Sequence, residues 1–252
     1  LVILPTPAAT RNWTDYYGNQ VTYFTLEEEH RELSVTSVSS VEITPPALPQ
    51  PQATQPWEEA RDSAGSDGID LMAAMFRLDS PCVRRNSRLS DYASLSFTPR
   101  RPLLDAALDL TARIFHEFKF DSTATTVSTP TMEVFEKRRG VCQDFAHLQI
   151  ACLRSLGLVA RYVSGYLLTD PRPGQPRLIG ADASHAWLSL FIPGIGWIDL
   201  DPTNNLIPTI KHVTIAWGRD YADVCPIKGV FLGGGAHSMS VAVDVVPSEE
   251  LC

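Results

Sequence analysis

A thiol, an imidazole and a carboxylate follow one another along this chain in an order that suits acyl transfer. Cys142 stands in Arg138-Arg139-Gly140-Val141-Cys142-Gln143-Asp144-Phe145-Ala146-His147. His185 opens His185-Ala186-Trp187, and Asp201 opens Asp201-Pro202-Thr203. A cysteine attacks a carbonyl once its proton is removed, a histidine can take that proton, and a carboxylate can orient the histidine.

Each residue also has a plainer explanation. A lone cysteine is most often a small buried hydrophobe. Against that, Gly140 allows a close approach, and the apolar face of Phe145, Leu148, Ile150 and Leu153 begins only after Cys142. A thiol at a helix start feels the positive end of the helix dipole, which favours the thiolate. The free N–H groups there, that of Cys142 included, can bind an oxyanion. His147 lies five residues further along the same helix, about 140° around its axis, and cannot easily face the thiol. His185 begins a strand and can reach across. Asp144 suits the helix start electrostatically. Gln143 can either donate to a substrate carbonyl or stay solvated.

The acid is Asp199 or Asp201, and strand register discriminates between them. Ile192-Pro193-Gly194 reads as a three-residue hairpin loop between Phe191 and Ile195. If those two face each other, Ser189 faces Trp197, Trp187 faces Asp199 and His185 faces Asp201. Opposed residues share one face of the sheet. A slip of one residue would turn Asp201 away from His185.

The elements that must hold these groups follow from hydrophobic period. Leu103, Leu104, Ala107, Leu108, Leu110, Ile114, Phe115 and Phe118 predict an amphipathic helix over 103–118. Residues 121–131 form a Ser/Thr-rich loop. A short helix over 132–138 is closed by Gly140, and a further helix runs from Cys142 to Leu156 before Gly157. Strands are predicted at 159–168, 186–191 and 197–201, with a loop at 171–176 and a closing strand at 240–246 after Gly233-Gly234-Gly235. Towards the N-terminus, 21–26 and 33–38 read as strands, and 15–19 as the turn before the first. The proline-rich stretch 45–56 is an extended connection. Residues 57–95 are mixed, with a short helix over 70–78. Helices followed by antiparallel strands indicate an α+β fold. A β-rich N-terminal domain with its connection is placed at 1–95, and the domain carrying the chemistry at 96–252.

Composition narrows the function classes. The chain has 252 residues, 44% of them hydrophobic and 20% charged, as expected of a globular protein with a substantial core. Its net charge of −8 and the absence of a long basic cluster argue against a nucleic-acid partner. No run approaches about 20 apolar residues, so no membrane span is expected. The five cysteines, Cys82, Cys142, Cys152, Cys225 and Cys252, are odd in number and lack a CxxC pair. That usage argues against a zinc site and fits a reducing, cytoplasmic compartment. Cys152 falls in an apolar helical stretch and reads as packing.

With these residues in view, the chain resembles the transglutaminase-like superfamily, whose catalytic core is papain-like. The matching segments are 138–147, Leu153-Arg154-Ser155-Leu156-Gly157-Leu158-Val159-Ala160-Arg161-Tyr162-Val163-Ser164-Gly165-Tyr166, Ala183-Ser184-His185-Ala186-Trp187 and Gly196-Trp197-Ile198-Asp199-Leu200-Asp201-Pro202-Thr203-Asn204. Gly218-Arg219-Asp220-Tyr221-Ala222-Asp223-Val224 and the 15–33 stretch resemble the bacterial branch, in which a β-rich domain precedes the core. The resemblance implies Cys142 as nucleophile, His185 as base and then acid, and Asp201 as the orienting residue. It implies a helix bearing the cysteine packed on an antiparallel sheet, and no cofactor or metal. Gln143 stands where the animal enzymes have Trp, as in the bacterial branch, and nothing resembles their calcium sites. The expected substrate is a peptide, protein or other amide, attacked through a thioester. Water resolving the thioester gives a protease or amidase, the favoured outcome, and an amine gives a transglutaminase. A non-catalytic scaffold on the same fold is the rival from another class.

Overall fold

The computed structural model describes residues 1–45, 47–63, 71–169, 183–233 and 236–247. It divides into two units, Leu1–Thr44 and Pro45–Cys252. In the first, β1 (Val2–Leu4) pairs antiparallel with β4 (Ser34–Thr36), and β2 (Ala9–Thr14) with β3 (Gln20–Thr25). The β2–β3 turn closes because Asp15 Oδ1 accepts the N–H groups of Tyr17 and Asn19, both at 2.8 Å, and Gly18 takes a φ of 92°. Side-chain capping of this kind is how Asp sets a tight turn. The strands expected near 21–26 and 33–38 are there, and β1 and β2 fall within the N-terminal stretch read as β-rich.

The second unit begins earlier than the expected boundary at residue 95. The helices α1 (Trp57–Ser63), α2 (Leu71–Ala74, running on as one 3-10 turn to Arg77) and α3 (Ser87–Ser94) precede α4 (Leu103–Glu117). Ala60, Val83, Leu89, Tyr92 and Ala93 share one core with Leu104, Leu110 and Ile114. A boundary at 95 would cut through that core. After α4 come β5 (Lys119–Phe120), α5 (Thr131–Lys137), β6 (Arg139–Gly140) and α6 (Cys142–Ser155). The helix α5 ends on Arg138, not on Gly140. Arg138 adopts the left-handed conformation, φ 54°, while its guanidinium lies 4.6 Å from the Phe118 ring centre and 4.7 Å from that of Phe135. Cation–π contact holds a non-glycine residue where glycine was expected.

The sheet follows: β7 (Ala160–Leu167), β8 (Ala183–Ile192), β9 (Gly196–Leu200) and β10 (His212–Gly218), in the order β10-β7-β8-β9, all antiparallel. A short helix, α7 (Tyr221–Val224), closes the regular structure. The strand expected at 240–246 does not form; that stretch carries an isolated bridge at Val243, and β10 takes the edge of the sheet instead. The 171–176 loop lies outside the described residues, as do Gly234 and Gly235. Among the described residues no helix is long and apolar enough to cross a membrane.

The apolar face of α6 packs into the core with Ala160, Tyr162, Ala186, Leu188 and Leu190. Its C-terminal turn is fixed by a buried guanidinium. Arg154, 1% exposed, donates to the carbonyls of Leu78, Ala160 and Arg219 and to Ser80 Oγ. One side chain thereby ties α6 to β7 and to the segments before α3 and α7. Arg154→Leu would leave those buried acceptors without a donor, at about 1–3 kcal/mol for each one left unmade. A loss of at least about 3 kcal/mol in urea-unfolding stability is expected.

Candidate active site

The nucleophile candidate is placed by a glycine and a carboxylate. Cys142 is the first residue of α6 and half-buried. Asp144, two residues on, turns back so that its Oδ2 accepts the Val141 N–H at 2.8 Å and the Thr125 hydroxyl at 2.6 Å. This satisfies one of the first-turn donors that a helix cannot satisfy internally. The carboxylate fits only because residue 140 is glycine, since a Cβ there would sit 2.6 Å from Asp144 Oδ2. Burial raises the Asp144 pKa, against the opposing pull of its two hydrogen bonds. Gln143 donates to the Val127 carbonyl at 3.3 Å, which ties the Ser/Thr-rich loop to the helix start.

His185 lies on β8. Its Nε2 is 2.8 Å from Asp201 Oδ2, and the Cys142 thiol lies close enough to act on the imidazole electrostatically. With Nε2 engaged by the carboxylate, Nδ1 is the nitrogen left for sulfur. Burial opposes the imidazolium, but the hydrogen bond to Asp201 and the influence of the nearby thiol outweigh it and raise the His185 pKa to about 9. His147 plays no part in this arrangement. Its Nε2 accepts the Tyr221 N–H at 3.1 Å, and burial lowers its pKa to about 4.

The register differs from the expected one by two residues. Ile192 faces Gly196, Phe191 faces Trp197 and Ser189 faces Asp199. The loop is still three residues long, but it is Pro193–Ile195, with Gly194 at φ 80°. A shift of two preserves the side-chain alternation. Asp201 therefore stays on the face of His185, now as a diagonal neighbour. Asp199, the other candidate, is taken by Trp187 Nε1 at 2.9 Å and by the Ser189 hydroxyl.

Asp201 is fully buried, and its charge is compensated on every side. Oδ1 accepts the N–H groups of Thr203 (2.9 Å) and Asn204 (3.2 Å). Oδ2 accepts from His185 Nε2, from Asn204 Nδ2 at 2.7 Å and from His212 Nε2 at 3.1 Å. Burial alone would raise its pKa; the bonds from His185 and His212 reverse that and hold it well below the carboxylate range. Asn204 and His212 were missed in the sequence. Asn204 follows Asp201-Pro202-Thr203 closely enough to be read as a turn partner. His212 had one signal, the β-branched run 212–217 that forms β10. The ligand atoms of His185, Asp201 and His212 lie within 4.8 Å of one another, a spacing that a divalent cation could use; the two contacts to Asp201 are also ordinary hydrogen-bond distances.

The ring of Trp187 packs beside both histidines, 5.9 Å from His185 and 5.2 Å from His212 between centres. Gly165 makes room for it: a Cβ there would meet Trp187 at 2.5 Å and the Val213 carbonyl at 2.2 Å.

Residues 93–202 match the model of the transglutaminase-like superfamily, and residues 1–42 match that of the bacterial transglutaminase-like N-terminal region. An uncharacterized protein of Mycobacterium tuberculosis is 45% identical over 99% of this chain and 81% of its own length. A protein-glutamine gamma-glutamyltransferase of Pseudomonas aeruginosa is 30% identical over 39% of this chain and 16% of its own length. Among solved structures, the “Putative Cysteine Protease” from Cytophaga hutchinsonii superposes with a TM-score of 0.63 at 23% identity, covering 88% of this chain and 70% of that one, and so shares the fold. The chain belongs to the transglutaminase-like superfamily, in the bacterial branch that carries its own N-terminal region.

Proposed function

We propose that the protein is a thiol hydrolase that cleaves an amide or peptide bond through Cys142, His185 and Asp201. The observation that carries this reading is the 2.8 Å contact of His185 Nε2 with a fully buried Asp201, which leaves Nδ1 for the Cys142 thiol. In the proposed reaction Nδ1 takes the Cys142 proton, and the sulfur adds to the substrate carbonyl. The oxyanion is held by the Cys142 N–H, which lacks an intrahelical acceptor, and by a second donor. The C–N bond then breaks, and the amine leaves with the proton from His185. Water, deprotonated by His185, releases the acid and restores the thiol.

Water is the favoured acceptor because Cys142 is half-buried, which leaves the acyl-enzyme open to solvent. The kinship with a glutamine gamma-glutamyltransferase supports the second reading, in which an amine takes the acyl group. The two separate in one assay: glutamine-containing peptides are incubated with and without a fluorescent primary amine. Hydrolysis predicts released acid or ammonia with no labelled peptide. Transfer predicts labelling. Either product must vanish in Cys142→Ala; release that survives this change would sink both readings, and a parent protein that yields neither product would favour the scaffold.

The pH dependence has a defined sign. The leaving amine needs the imidazolium, and the His185 pKa is raised to about 9. Turnover should therefore hold through neutral pH and fall as pH rises through about 9. In Asp201→Asn the carboxylate that supports the imidazolium is gone. The alkaline limb should move down towards the ordinary histidine value of about 6.5, with turnover reduced about 10²–10⁴-fold. The same shift affects stability. What the protonated His185 contributes is fully present below about pH 6.5 and is lost as pH rises through about 9. The urea-midpoint difference between parent and His185→Ala should shrink across that window.

A further inference from the structure

We infer that His212 is a positioning residue: as a donor to Asp201 Oδ2 it orients the carboxylate and limits how tightly that carboxylate holds a proton on His185. The inference rests on the proposed thiol chemistry and adds a fourth side chain to it. His212 Nε2 is 3.1 Å from the Asp201 oxygen that His185 Nε2 contacts at 2.8 Å, and both rings are buried. Two imidazoles thus share one carboxylate oxygen, with Asn204 as a third donor to it.

The ring's other nitrogen fixes its role. His212 Nδ1 is buried and has no hydrogen-bond partner among the described residues. A proton there would be stranded, whereas on Nε2 it points at a carboxylate. The ring is therefore held as an Nε2–H donor. Trp187 packs edge-on against it at 5.2 Å and restricts its rotation. The ionisable groups that act on the His185–Asp201 pair are Cys142 from α6 and His212 from β10, while Asp199 on β9 is engaged by Trp187 and Ser189 instead. His212 is the group whose removal changes the donors on Asp201 without touching the thiol or its base.

A donor to Asp201 spreads the carboxylate charge, so removing it concentrates that charge on His185 and strengthens its hold on the proton. The readout is the pH profile of Cys142 alkylation by iodoacetamide, followed by mass spectrometry, which needs no substrate. Cys82 and Cys152 serve as internal references, since burial raises the pKa of each, that of Cys152 to about 12. His212→Phe keeps an aromatic ring against Trp187 and loses the donor. His212→Gln keeps an N–H near the position of Nε2. The alkaline inflection is expected to rise by about half a pH unit or more in His212→Phe, with the plateau rate lowered, and to return to the parent curve in His212→Gln. An unchanged His212→Phe profile, or a His212→Gln profile shifted as far as that of Phe, would overturn the inference.

A second measurement uses the unaltered protein. Nitrogen NMR at pH 8 should show His212 carrying its proton on Nε2; a proton on Nδ1 would refute the assignment even if His212→Phe fails to fold. Failure of the broader reading has a different signature. If His185→Ala leaves the Cys142 profile unchanged, the thiol–imidazole pair itself is absent. If His185→Ala abolishes the profile and His212→Phe does not move it, only the role of His212 falls.

Discussion

A carboxylate buried to zero exposure constrains this part of the fold more than any other group. An isolated charge in such a place would be neutralised or expelled. Asp201 remains ionised because two backbone N–H groups reach Oδ1 and three side chains reach Oδ2. The donors come from three pieces of architecture. The bridge between Asp201 and Leu206 closes the turn that supplies Thr203 and Asn204. β8 supplies His185. β10 supplies His212 from the opposite edge of the sheet, because the chain between Asp201 and His212 passes from the β9 edge to the β10 edge. Gly165, on the strand between, admits the Trp187 ring that packs against both histidines.

Asp144 shows how differently the fold treats a second buried carboxylate. It lies two residues from Cys142 and is almost as inaccessible as Asp201. Its donors are the Thr125 hydroxyl and the Val141 N–H. Two neutral donors do not offset burial, and its pKa is raised; five donors, two of them imidazoles, do offset it, and that of Asp201 is lowered. The contrast follows from donor number and type, not from depth. It assigns the two acids different work: Asp144 shapes the helix start that presents the thiol, and Asp201 carries the charge that supports His185.

How much of this was legible in the sequence depended on period. The helix α4, the helix α6 and the strands β7 to β9 have regular apolar spacing and were read within a few residues. Short elements such as α1 and α3 were not, because one or two turns give too few repeats to distinguish helix from loop. The hairpin register was misread by two residues, since a sequence such as Ile192-Pro193-Gly194-Ile195-Gly196 admits a three-residue loop in more than one place. The pairing of His185 with Asp201 survived because alternation depends on parity, and parity survives a shift of two. The alternating run 240–246 misled for the converse reason: alternation marks a strand only where a neighbour pairs with it along its length, and this run carries only a bridge at Val243. The β-branched run 212–217 could mark His212 as part of a strand, but not its link to Asp201, which exists only after the chain has crossed the sheet.

The presence of a histidine, and not a lysine or arginine, against Asp201 has a chemical logic within the proposed mechanism. A fixed cation at that point would neutralise the carboxylate outright, and His185 would lose the charge that supports its imidazolium. An apolar side chain would leave the carboxylate acting on His185 with one restraint fewer and hold the proton too firmly to return it to a leaving amine. A neutral imidazole donor lies between these limits. It contributes a hydrogen bond while leaving the net charge of the pair unchanged. Its Nδ1, without a partner among the described residues, is a cost of order 1–3 kcal/mol for a buried polar atom, small beside the cost of an unsupported buried carboxylate. A proton shuttle needs a base that accepts readily and donates readily, and the number and kind of donors on Asp201 are what set that balance.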